Sequence, residues 1–309
     1  MKIRFFIPAI FLMAFVFMQC RKETTLQEEI VPRSTDRIES VDLYRGIYLD
    51  SLKYIVGDVS RENVMLQWCQ SNNFTTITCY DLYTLLAYSS GYSKVAAFIK
   101  KARTTYGITT ITACMASSSA FSGLVGNYNA SRTDPLEKFN YSNLELEWWN
   151  NASTYKNYLK QLKGIKSWGD SQNPRIPTEE YIGWFKNPKG QDSTQAAGLV
   201  ENSDRILVHD YQANPSFAYM KDRISWIGKA AKAQGKVMPV VVIFSAEPDY
   251  SFNYFMVNSF EQTYNLIAAQ FEASSFSGKE NVQLVGYQVF CQSDARQCRP
   301  SPGNNAILQ

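Results

Sequence analysis

The segment NYSNLELEWWN, Asn140–Asn150, sets Asn143, Glu145 and Glu147 at alternate positions of a run that reads as a strand. Alternate residues of a strand share a face, so an amide and two carboxylates look one way. Leu144, Leu146 and Trp148 look the other. Residues two apart on a strand are separated by roughly 6.6 Å of rise. At an effective dielectric of about 20, two unit charges at that distance repel by about 2.5 kcal/mol, nearly two pKa units. One of the pair is therefore expected to keep its proton toward neutral pH, as a general acid must. Its neighbour stays ionised and steadies developing positive charge. The blander use of inward polar groups is to close buried hydrogen bonds with Arg or Tyr.

Something must hold such a face in place, and the rest of the chain supplies it. Strand-like runs rich in Val, Ile, Thr and Tyr begin near residues 45, 75, 108, 143, 175, 204, 237 and 282. Several are apolar almost throughout, as strands buried on both faces should be. Between them, 61–72, 93–106, 154–168, 216–234 and 260–276 carry apolar residues at spacings of three and four, which predicts helices. Gly235 ends one of them before VMPVVV. The connections 117–142 and 184–203 are less regular. Eight strands alternating with helices predict an α/β fold, a (β/α)8 TIM barrel over residues 41–292. A doubly wound sheet would want a Gly-rich phosphate turn after its first strand, and IYLDSLKYIVGD has none. In a barrel, Asn143, Glu145 and Glu147 point inward, and Glu147 lies nearest the C-terminal mouth where barrel active sites form. Trp149 has inward parity beside them and is suited to stacking on a sugar ring.

The fourth-strand motif resembles that of glycoside hydrolase family 18, the chitinases and endo-β-N-acetylglucosaminidases. That family has a (β/α)8 barrel with D-x-x-D-x-D-x-E on strand four. Here the pattern is N-x-x-N-x-E-x-E, from Asn140 through Asn143 and Glu145 to Glu147. The resemblance implies that Glu147 protonates the leaving oxygen. It implies that Glu145 orients the substrate's acetamido group, which itself attacks the anomeric carbon, so no protein nucleophile is needed. On strand six, HDYQ resembles the family's M-x-Y-D segment, with Tyr211 at the tyrosine that contacts the reacting sugar. His209 and Gln212 replace its Met and Asp. Asn143, Tyr211, Trp149 and Gln212 are the expected substrate contacts. The family's strand-eight tryptophan has no counterpart in GYQVF. The resemblance implies a carbohydrate substrate containing N-acetylglucosamine and no cofactor. The departures from the motif point either to altered substrate geometry or to lost catalysis.

Two other readings stand beside it. Glu247, after strand seven in FSAEPDY, would pair with Glu147 as in the many retaining glycosidases that carry glutamates at the ends of strands four and seven. Alternatively, the barrel binds glycans without cleaving them.

The ends and the composition bound the setting. Lys2 and Arg4 precede an apolar run, 5–18, too short to span a bilayer, which predicts a signal peptide over residues 1–19. FMQC resembles a bacterial lipobox with Cys20 as the lipidated residue. The expected setting is export and a lipid anchor in the outer membrane, on its periplasmic or cell-surface face. Residues 20–40 read as a tether and 293–309 as a C-terminal tail. Removing residues 1–19 takes away Lys2 and Arg4, so the formal charge falls from +3 to +1. That leaves no electrostatic case for nucleic acid. Aromatics make up 14% of the chain, compatible with sugar stacking and equally with a large core. The only histidine is His209 and no CxxC occurs, which argues against a zinc site. Cys79 and Cys114 read as buried thiols, and Cys291 with Cys298 as a disulfide pair.

Overall fold

The computed structural model describes residues 43–151, 153–185 and 192–298. The expected signal peptide, Cys20 and tether lie outside them, as does the end of the expected tail. Eight strands form a closed barrel in sequence order: β1 (Tyr44–Leu49), β2 (Thr76–Cys79), β3 (Thr110–Met115), β4 (Tyr141–Leu144), β5 (Thr178–Ile182), β6 (Arg205–Asp210), β7 (Met238–Ser245) and β8 (Val282–Phe290). Neighbours pair in parallel all round, and β8 closes onto β1. The (β/α)8 barrel expected from strand count and alternation is the fold.

The five predicted helices form at Val59–Ser71, Tyr92–Tyr106, Tyr155–Asp170, Phe217–Ala233 and Phe260–Ala273. Local chemistry sets their ends. Asp58 accepts from the backbone N–H groups of Ser60 and Arg61, Thr154 from Asn157 and Ser259 from Gln262, each satisfying donors that a first helical turn leaves open. Gly235 takes a positive φ of 65°, where a side chain is disfavoured. The two irregular connections contain helix that periodicity missed. A broken helical stretch runs through 118–130. Asp192–Asn202 is a regular helix whose Gly198 lets the backbone approach Tyr155; a Cβ there would stand 2.2 Å from its hydroxyl. Among the described residues, one helical turn follows β8, Gln292–Ala295. It is fastened by Ser293, which donates its N–H and hydroxyl to Asp50.

Helices pack on the outer strand face, and Val240–Phe244 are fully buried between the two layers. The inside of the barrel is unusually polar. Arg205 lies between the rings of Tyr44 and Tyr141, 4.3 and 4.5 Å away, and its guanidinium pairs with Glu179. Glu179 in turn accepts from the Asn143 amide at 3.3 Å. Gln288 accepts from Tyr44 and donates to Thr78. A buried charge is tolerated only when paired and hydrogen-bonded, and Glu179 and Arg205 meet that condition.

Candidate active site

A cavity of about 400 Å³ opens at the C-terminal ends of the strands. Tyr48 from β1, Tyr181 from β5 and Phe290 from β8 line it, together with Glu145, Glu147 and Trp149 beyond β4 and Glu247 beyond β7. Strand pairing of β4 ends at Leu144, yet the Glu145 N–H still bonds to the Met115 carbonyl at 3.0 Å. Both glutamates reach the cavity before Trp148–Asn150 curl into a 3-10 turn. Trp148 turns outward as its parity predicts, its ring 4.2 Å from that of Tyr158 on helix Tyr155–Asp170.

The two carboxyls sit at different depths. Glu145 is the deeper, taking a hydrogen bond from the Cys114 thiol at 3.4 Å. Burial first, and the charge of Glu147 second among the raising causes, push its carboxyl up to about 7; donation from Cys114 and Tyr80 opposes them. Charge repulsion was expected to separate the pair, but desolvation does more of it. Glu147 lies nearer the mouth, where the Tyr181 hydroxyl donates to it at 3.0 Å and the Asn150 amide donates to its other oxygen.

Aromatic rings make the wall. Tyr181, His209, Tyr211 and Phe290 stack in a column, with successive centroids 5.1, 4.0 and 6.2 Å apart. Trp149 meets Tyr181 and His209 edge-on. It fits because residue 183 is glycine: a Cβ there would lie 2.5 Å from the indole nitrogen. Behind the wall, Arg223 donates to the carbonyls of Gly183 and His209 and stacks on Trp184 and Tyr219. Burial, then the Arg223 charge, holds His209 well below the ordinary imidazole range, so the ring is neutral. Tyr211 stands among three acids: burial chiefly, then Glu247, Glu147 and Glu145, raise its hydroxyl and keep it a phenol.

Of the residues expected at the substrate, Glu145, Glu147, Trp149 and Tyr211 share this cavity, and so does Glu247. Two are placed elsewhere. Asn143 is fully buried a layer below, where it accepts from Tyr48 and Cys114 and donates to Glu179. Gln212 turns aside to donate to Asp210 and Ser216 at the start of helix Phe217–Ala233. The remaining acids near strand ends have structural partners: Asp50 with Ser293, Asp81 with Lys53, Glu180 with Tyr158, and Asp210 with the Ser216 N–H. The expected Cys291–Cys298 disulfide is absent, and both are thiols. Cys291 faces Ser293 and Asp294, whereas Cys298 donates toward the Phe252 carbonyl, so the two are committed to different partners. Cys79 and Cys114 are buried thiols as expected. Among the described residues no three His, Cys, Asp or Glu side chains are grouped as metal ligands.

Sequence reasoning passed over Tyr48, Tyr181 and Phe290. Tyr48 and Tyr181 have the same inward parity near the C-terminal ends of β1 and β5 that singled out the glutamates, so that signal was in the sequence. Phe290 supplies an aromatic ring at the end of β8, where the family tryptophan is missing.

No family model matches the sequence, and no curated protein matches it. Solved structures share its fold. GH5_18 from Streptomyces cattleya, in complex with GlcNAc, is similar over 81% of this chain and 70% of its own, at 12% identity and a TM-score of 0.55. The GH39 enzyme from Xanthomonas axonopodis pv. citri is similar over 81% of this chain and 58% of its own, at 11% identity and a TM-score of 0.51. The catalytic domain of a beta-amylase from Paenibacillus polymyxa is similar over 85% of this chain and 96% of its own, at 9% identity and a TM-score of 0.50. At such identities the likeness establishes the (β/α)8 barrel.

Proposed function

We propose that the protein is a glycoside hydrolase that cleaves N-acetylglucosamine-containing glycans, exported and anchored through a lipid on Cys20. One observation carries the reading. Two glutamates from one strand end face a single aromatic-walled cavity, and the deeper one holds its proton toward neutral pH. The proton that burial keeps on Glu145 gives the site an acid near neutral pH. Glu147, nearer the mouth, donates to the leaving oxygen. Glu145 and the Tyr211 phenol hold the acetamido group, whose oxygen attacks the anomeric carbon. Trp149 and the stacked column give the sugar an apolar face to rest on. The glycosidase barrels it resembles in fold, one of them complexed with GlcNAc, are consistent with this substrate class.

A second reading makes Glu247 the nucleophile, because it shares the cavity and is steadied by the Ser245 hydroxyl at 2.7 Å. Chito-oligosaccharides and N-glycosylated proteins, incubated with wild type, Glu147→Gln and Glu247→Gln and followed by mass spectrometry, separate the two. Substrate assistance predicts cleavage that Glu147→Gln abolishes and Glu247→Gln retains. Loss in both variants transfers the nucleophile to Glu247. Binding without cleavage in all three makes the barrel a glycan receptor.

A further inference from the structure

The thiol of Cys114 sits at a junction that the proposed reaction leaves unused. It is 3% exposed and lies 3.4 Å from two acceptors, Asn143 Oδ1 on one side and Glu145 Oε2 on the other. A thiol has one proton, so it serves one acceptor at a time. Burial, reinforced by the Glu145 charge, raises Cys114 well above the ordinary thiol range, which keeps that proton on sulfur.

We propose that Cys114 is a positioning residue that donates its one proton to Glu145 when that carboxylate is ionised and to Asn143 when Glu145 is protonated. The two partners are built for such an exchange. Asn143 Oδ1 also accepts from the Tyr48 hydroxyl at 3.4 Å, so it keeps a donor when the thiol turns away. The Asn143 amide is fixed from below through Glu179 and Arg205, so the acceptor does not follow the thiol. Glu145 also accepts from the Tyr80 hydroxyl, but unlike Asn143 its charge changes. An ionised carboxylate is much the stronger acceptor and draws the thiol. Once it is protonated, the amide carbonyl is the better acceptor and the thiol returns. The proton that titrates Glu145 comes from and returns to water in the cavity; the thiol proton only reorients.

The groups that face Glu145 are Tyr48 from β1, Tyr80 beyond β2, Cys114 from β3, Glu147 on its own strand, Tyr181 from β5 and Tyr211 beyond β6. All but Glu147 are phenols or a thiol raised above their ordinary values, and they stay neutral across the range in which Glu145 titrates. The exchange holds whether or not the cavity turns over a glycan.

The test is infrared spectroscopy of the intact protein across the Glu145 titration, with the Cys114 S–H band identified by its loss in Cys114→Ala. The band is expected to shift with pH, at the midpoint of the Glu145 carboxyl band, and to stay fixed in Glu145→Gln. A band that ignores pH in the wild type, or a shift that survives in Glu145→Gln, overturns the proposal. The carboxyl midpoint is a second readout. Cys114→Ser, with a stronger donor, lowers it, and Cys114→Ala, with none, raises it. Each shift is about one pH unit, the size of one hydrogen bond to a charged group. An unchanged midpoint in both variants also overturns it.

Discussion

Replacing Glu145 by Gln should remove a pH-dependent loss of stability that the wild type carries into neutral pH. The ordinary value for this carboxyl is 4.5, and in the fold it is pushed up to about 7, chiefly by burial. Between those values the native state binds more protons than the unfolded chain, so stability falls as pH rises through the window and levels off above it. The difference of about 2.5 units, at 1.36 kcal/mol each, amounts to about 3 kcal/mol. Glutamine keeps the shape and still accepts from Cys114, but it does not titrate. Urea unfolding of both proteins from about pH 4 to pH 8 should therefore show the variant gaining about 3 kcal/mol on the wild type across the series. Glu147→Gln is the control: without the neighbouring charge, the wild-type fall should end at a lower pH, though not vanish, because burial remains. Parallel profiles for wild type and Glu145→Gln would refute the reasoning, since Glu145 would then titrate in the fold as it does in the unfolded chain.

Three further outcomes follow from contacts already described. Gly183→Ala should push the Trp149 indole off its seat against Tyr181 and His209, costing about 1–3 kcal/mol of stability by overpacking and weakening glycan affinity; calorimetric titration showing unchanged binding would contradict it. Arg205→Met leaves Glu179 charged and unpaired inside the barrel and should destabilise by about 3–5 kcal/mol, most of it recovered when Glu179→Gln is added, as denaturant melts of the single and double variants will tell. Tyr181→Phe removes the phenol that donates to Glu147 and should slow turnover about ten-fold, equivalent to one lost hydrogen bond, with thermal unfolding nearly unaltered; an unchanged rate would free Glu147 from that contact.

The barrel was legible because its strands announce themselves. Runs such as VMPVVVIFS are apolar without a break, as a strand covered on both faces must be, and β7 is buried from Val240 through Ser245. Helix Asp192–Asn202 was not legible, because its Gly, Ser, Thr and Asn content hides a pattern that packing against Tyr155 stabilises. Parity along strand four put Glu145 and Glu147 on the right face. It carried no information on depth, and depth decides which of them burial affects most. Parity equally misjudged Asn143, whose partners Tyr48, Cys114 and Glu179 are remote in sequence and meet only when the barrel closes. Gln212 followed Tyr211 by resemblance alone, and the turn into the next helix took it out of the cavity.

The central chemical claim is that this cavity breaks glycosidic bonds beside an N-acetyl group. The most direct measurement sets wild-type protein against two substrates of equal length, an N-acetyl chito-oligosaccharide and the corresponding 2-hydroxyl cello-oligosaccharide, with products counted by mass spectrometry over time. Cleavage of the first and not the second is the predicted result. Equal cleavage of both, or of neither, would contradict the claim.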